Sequence, residues 1–116
     1  MALSATKPHC ALLREERIDE FNVMAKSQVP DLVKANLRSV DLRQAHLKRA
    51  DLRGAYLRGA DLRGVDLSEA RLDGASLHHA QVGGVLFPPN LPAEEIRLSV
   101  QLGTRLRCVN DEKRTP

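Results

Sequence analysis

From Pro30 to Gly84 the chain repeats a five-residue unit eleven times without an insertion. The unit is centred on Leu at 32, 37, 42, 47, 52, 57, 62, 67, 72 and 77, and on Val82. Two residues before each centre stands a small apolar residue: Ala at 35, 45, 50, 55, 60, 70, 75 and 80, Val at 40 and 65, and Pro30. The residue just before the centre is usually polar, as in Asp31, Asn36, Asp41, Asp51, Asp61 and Asp66. The two residues after it are charged, polar or Gly. Phe87 carries the frame once more, through Val85-Leu86-Phe87-Pro88-Pro89.

A period of five suits neither ordinary element. On an α-helix, five steps of about 100° move each Leu some 140° round the axis, so no face collects them. In a flat strand, side chains alternate with period two, and an odd repeat throws successive leucines to opposite faces. The leucines all point inward only if the chain turns once per repeat. Right-angle turns close after four repeats, and the resulting coils stack at about 4.8 Å, the ordinary strand spacing. Gly54, Gly59, Gly64 and Gly74 fall at the turn, where positive φ is cheap for Gly.

The repeats, seen most clearly in Ala50-Asp51-Leu52-Arg53-Gly54 and Ala60-Asp61-Leu62-Arg63-Gly64, follow an A(D/N)Lxx pattern that resembles the pentapeptide-repeat family. The resemblance covers about half the chain and implies an all-β solenoid, a right-handed quadrilateral β-helix of about three coils. It implies no activity, because repeat solenoids of one shape serve many partners. It also implies that the repeat aspartates hydrogen-bond turn backbone, and that a homodimer can form through the C-terminal end. Some long members of the family mimic duplex DNA and bind gyrase. That role needs an extended acidic rod, whereas this chain is short and carries a formal charge of +3.

Composition agrees with a core of aliphatic residues. Of 116 residues only Phe21, Tyr56 and Phe87 are aromatic and none is Trp, yet 42% are hydrophobic. That fraction excludes a typical disordered chain, and no apolar run approaches the ~20 residues a bilayer requires, so membrane insertion is not expected. Cys10 and Cys108 lie near opposite ends without metal or redox spacing, which points to reduced thiols. Met1 to Cys10 lack a signal-peptide pattern and a Gly at position 2, so a cytoplasmic location is expected.

Three segments follow: 1–29, a tail and an amphipathic capping helix; 30–89, the repeat coil; and 90–116, a C-terminal cap and tail. A coil this short leaves much of its core at two open ends, which the flanks must cover. Residues 11 to 25 read as one helix with Ala11, Leu13, Ile18, Phe21, Met24 and Ala25 on one stripe and Glu15, Glu16, Asp19 and Glu20 opposite. In the C-terminal flank, Pro92, Glu94, Glu95 and Gly103 are helix signals, while Ile96, Leu98, Val100, Leu102, Leu106 and Cys108 alternate as in a strand. The preferred reading is a short helix from 92 to 102 and then an extended segment. Phe21, Met24, Phe87, Ile96, Leu98 and Leu102 are the expected cap or dimer contacts, and 110 to 116 a frayed tail.

For chemistry the sequence offers little. No nucleophile, base and orienting group are clustered, and neither a phosphate loop nor metal-ligand spacing occurs, so no enzyme, cofactor or metal is expected. Adjacent His78 and His79 should point apart, and His9 and Cys10 should lie in a mobile N-terminus.

Folded into coils of four repeats, the surface charges sort by face. On the first face, Arg53 stacks over Asp73 and Asp51 over Arg71. On the fourth, Arg49 stacks over Glu69 and His46 over Asp66. On the third, Asp41 and Asp61 lie beside Arg43 and Arg63. The second face differs: Arg38, Arg58 and His78 form one column, Asn36, Tyr56 and Ser76 another, and no acid is present. Two functions follow. One is a non-catalytic protein–protein interaction or scaffold module with an unidentified protein partner. The other is binding of an anionic partner, a nucleic acid or an acidic surface, through Arg38, Arg58 and His78, with Tyr56 as a stacking platform. Residues 30–84 carry nine basic and seven acidic residues, a net +2, so weak or no nucleic-acid binding is expected.

Overall fold

The computed structural model describes residues 7–109. Parallel bridges join residues twenty apart: Asp31 to Asp51 to Arg71, Asn36 to Tyr56 to Ser76, Asp41 to Asp61 to Gln81, and Asp66 to Leu86. Four repeats therefore complete one coil, and the last bridge brings the Phe87 repeat into the frame. The N–H of a central residue donates to the carbonyl one coil further on, as from Leu37 to Tyr56 and from Leu57 to Ser76, both at 2.9 Å. The reverse bonds run from Tyr56 N–H to Ala35 and from Ser76 N–H to Ala55, at 2.9 and 3.0 Å.

All ten central leucines from Leu32 to Leu77 are at most 1% exposed. Burying one such side chain contributes about 1.5–3 kcal/mol, so the interior is a stack of leucine layers with alanines between the walls. Each corner closes with a bond from the N–H three residues beyond the centre, as from Ala55 to the Leu52 carbonyl at 3.0 Å. Gly54, Gly59, Gly64 and Gly74 hold the third turn position at φ of +69 to +77°, and Lys34, Ser39 and His79 reach it without being Gly. Positive φ there is the mark of a type II turn. The residue before the centre steadies the corner. Asp41 and Asp61 Oδ1 accept the N–H of Arg43 and Arg63 at 3.1 and 3.2 Å, and Asp66 accepts that of Ser68 at 2.9 Å. Such carboxylates offer the backbone a local partner that regular strands do not need.

The bridges remain single. Each wall turns after one bridging residue, so among the described residues no continuous strand forms and helices are the regular elements. The β character expected from the repeats is thus carried by isolated bridges and their cross-coil hydrogen bonds.

The N-terminal cap also differs from the single helix expected over 11–25. It is two helices, α1 (Pro8–Arg14) and α2 (Ile18–Ser27). Glu16 lies at φ +62°, and the N–H groups of Glu16 and Arg17 return to the Leu13 and Leu12 carbonyls at 3.2 and 2.8 Å. This is the reciprocal pair of bonds that ends a helix through a left-handed residue. The break lets both helices lie on the first coil, where His9, Cys10, Leu13 and Phe21 are buried and Met24 is half-buried. His9 and Cys10 thus belong to the cap and not to a mobile tail. Cap side chains also serve the open backbone edge. His9 Nδ1 accepts the Asp31 N–H at 3.3 Å. The Asn22 amide donates to the Gln44 carbonyl at 2.9 Å and accepts the His46 N–H at 2.7 Å.

At the other end α3 (Ala93–Leu102) stops at Gly103, φ +79°. Its last turn takes donors that a further coil would have taken. Ser99 Oγ accepts the Leu77 N–H at 2.9 Å and the Val100 carbonyl accepts that of His79 at 3.0 Å. The chain then returns extended and antiparallel, bridging Arg105 to Ser76. Leu106 donates to the Ala75 carbonyl and accepts from Gly74 N–H, each at 2.8 Å. Phe87, Ile96 and Val100 pack on the core and Leu106 is buried in it. Leu98 is half-buried, whereas Leu102 is 67% exposed and takes no part in the closure.

Candidate functional site

The bridges place Asn36, Tyr56 and Ser76 in register on the second face, with Arg38, Arg58 and His78 two residues further along each repeat. The return strand adds Arg105, which sequence reasoning missed. Alternation in 102–108 signalled an extended segment, but nothing in it specified pairing with Ser76. Arg105 reaches back over that small side chain, and its Cζ lies 5.3 Å from the Tyr56 ring centre. From the coil below, Arg38 Cζ lies at 4.8 Å. Two guanidiniums thus lie against the ring expected to serve as a stacking platform, and it helps to orient them.

Between these residues lies a cleft of about 230 Å³ lined by Arg38, Tyr56, Arg58, Ser76, His78, Gly103 and Arg105. A Cβ on Gly103 would stand 3.1 Å from the His78 ring, so the cap sits tightly against the column. Arg38 Nη1 donates to Asn36 Oδ1 at 3.4 Å and Arg105 Nη1 to the Gly74 carbonyl at 2.8 Å. Arg105 beside its phenol lowers the Tyr56 pKa below the usual value, with Arg38 and Lys34 adding to the effect. Burial lowers the His78 pKa, and His79 and Arg58 push it the same way. The two histidines do not point apart: with His79 at φ +59°, their rings stack 4.0 Å between centres.

Elsewhere most of the arginines are matched, chiefly within a repeat and not between coils. Arg53 meets Asp51 at 2.7 Å, while Asp73 and Arg71, stacked one coil away as expected, act on Arg53 and Asp51 by longer-range attraction. Arg63 meets Asp61 at 2.7 Å, and Arg43 meets Asp41 at 2.9 Å and Asp61 at 3.3 Å. Arg49 does reach Glu69 across coils, at 3.8 Å, while His46 spends its backbone N–H on Asn22 and makes no ion pair with Asp66. Exposed pairs of this kind are worth at most about 1 kcal/mol. Among the described residues, Arg14, Arg38, Arg58, Arg71 and Arg105 are the arginines without a carboxylate within 4 Å. Arg38, Arg58 and Arg105 line the cleft, and Arg14 is bonded to the Asn36 carbonyl at the foot of the same face.

A larger hollow of about 500 Å³ lies between α1 and the first coil, lined by Lys7, Cys10, Arg14, Val33, Lys34, Ala35 and Asn36. There Lys7 is paired with Asp31 at 3.1 Å and Arg14 with a carbonyl. The thiols are poor nucleophiles at neutral pH, since burial raises the Cys10 pKa and pushes Cys108, beside Asp73, up to about 12. Among the described residues no group of His, Cys, Asp or Glu is placed to hold a metal ion, and no helix is long and apolar enough to cross a membrane.

Coil, corner turns and leucine layers define a repeat protein whose units stack on their neighbours. The profile described as "Pentapeptide repeats" matches residues 31–68 and 50–87, with eight copies. The chain is a pentapeptide-repeat protein. No curated protein and no solved structure matches it.

Proposed function

We propose that the repeats form a right-handed quadrilateral β-helix that serves as a non-catalytic interaction module in the cytoplasm, and that the second face is its contact surface. The twenty-residue register supports the first part. The second rests on one observation: three of the five arginines without carboxylate partners among the described residues line one cleft, and no acid lines it with them. Like charges about one coil spacing apart disfavour one another, so the column has no stabilising role that would explain it. A partner bearing anionic groups gives it one, because guanidinium forks match oxyanions.

A protein partner is favoured over a nucleic acid. The neighbouring faces pair Asp41, Asp61 and Asp51 with Arg43, Arg63 and Arg53 and so offer a wide polyanion no net positive surface, and two guanidiniums already lie against the Tyr56 ring. Affinity capture from the native cell tests the proposal. The unaltered protein should retain a specific partner, and Arg38→Ala with Arg58→Ala should release it while Arg71→Ala does not. Equal capture by all three forms would refute the assignment of the face.

A further inference from the structure

We infer that the cleft between the second face and the C-terminal cap binds a phosphomonoester group through the guanidiniums of Arg38, Arg58 and Arg105. The inference rests on the second face being the contact surface and adds the chemistry of what is contacted there.

Charge and shape carry it together. Arg38 and Arg105 stand 4.8 and 5.3 Å from one ring centre, so their Cζ atoms are at most about 10 Å apart. Arg58 joins them at the same cleft, with no carboxylate in the lining. A carboxylate brings one charge and two oxygens to three guanidiniums. A phosphomonoester brings about −1.5 to −2 charges and three terminal oxygens, one for each fork. The cleft, about 230 Å³, has room for a phosphoryl group and its ester carbon, and its lining also offers the hydroxyls of Tyr56 and Ser76 and the His78 ring.

The arginines are also held in advance. Each of Arg38 and Arg105 has one nitrogen bonded, to Asn36 Oδ1 and to the Gly74 carbonyl, and its Cζ lies within 5.3 Å of the Tyr56 ring centre. The remaining guanidinium N–H groups stay available to a ligand, and the ordering cost of binding is reduced. A bound dianion also relieves the mutual repulsion of the column. In the hollow beside α1, by contrast, Lys7 is paired with Asp31 and Arg14 with a carbonyl, and Lys34 is the remaining lining cation, with no carboxylate within 4 Å among the described residues, so no cluster of arginines converges there.

The experiment is an NMR titration of the 15N-labelled full chain, following arginine Nε–H and His78 ring signals. The probes are inorganic phosphate, O-phosphoserine and a short phosphoserine peptide, with acetate at matched ionic strength as the carboxylate reference. Saturable shifts are expected with phosphoserine at a Kd of about 1 mM or below. Arg58→Ala should weaken them about tenfold or more, and Arg58→Lys nearly as much because the fork is lost. Arg71→Ala, folded and equally charged, should change nothing. A peptide bound more tightly than phosphoserine assigns the site to a phosphorylated protein, and equal affinities assign it to a small phosphate ester. If acetate binds as well as phosphate, or no probe saturates while Arg38→Ala with Arg58→Ala still releases a captured partner, phosphoryl recognition is wrong and the contact face stands. If no probe saturates and that variant releases nothing, both readings fall.

Discussion

Ser99→Ala tests whether the C-terminal helix stands in for a missing coil. Ser99 is fully buried, and its Oγ takes the Leu77 N–H at 2.9 Å where a further repeat would have supplied a carbonyl. Alanine leaves that buried N–H without its partner. An unsatisfied buried donor costs about 1–3 kcal/mol. Alanine's higher helix propensity returns about 0.5 kcal/mol, so a net loss of about 0.5–2.5 kcal/mol remains. For a domain of this size each kcal/mol moves Tm by about 4–8 °C. Tm should therefore drop by about 2–20 °C, and hydrogen exchange at the Leu77 amide should speed up more than at Leu57. Gln101→Ala, on the exposed side of α3, should stay within about 0.5 kcal/mol. Unchanged stability together with unchanged protection at Leu77 would refute the coil-replacement reasoning.

Acid should weaken the N-terminal cap through His9. Its Nδ1 accepts the Asp31 N–H, which leaves the proton on a buried Nε2, and burial lowers its pKa although Asp31 opposes the shift. A depressed histidine contributes stability that is whole above the unfolded pKa of about 6.5 and declines as pH falls below it. His78 shifts in the same direction, so the measurement is the difference in urea midpoint between the native chain and His9→Gln from pH 7.5 to 5. A constant difference would sink the role given to His9. In the core, Leu57→Ala should cost about 2–5 kcal/mol, while exposed Leu102→Ala should cost under about 0.5 kcal/mol; equal losses in denaturant titrations would contradict the burial pattern. Gly64→Ala meets no atom within 4 Å but sits at φ +75°, so backbone strain alone should cost about 1–2 kcal/mol. Gly83→Ala, in open space outside the left-handed region, should be neutral or slightly stabilising; a loss there equal to that of Gly64→Ala would contradict the turn assignment.

The sequence alone determined the coil. A five-residue period can bury one Leu per repeat only if every repeat turns a corner, so the register of twenty, the columns and the acid-free second face followed from counting. The family resemblance implied that the repeat aspartates hydrogen-bond turn backbone, as Asp41, Asp61 and Asp66 do. What the tertiary structure decided is everything that depends on one segment finding another. The break at Glu16 exists because two short helices cover the first coil better than one straight one. The ion pairs form within repeats because a long Arg side chain reaches a carboxylate two residues away before it reaches the next coil. Arg105 lies far along the chain from Arg38, and only the antiparallel return beside Ser76 brings them to the same tyrosine. A repeat carries its own geometry in its period, whereas a cleft built by a cap exists only once the cap has docked.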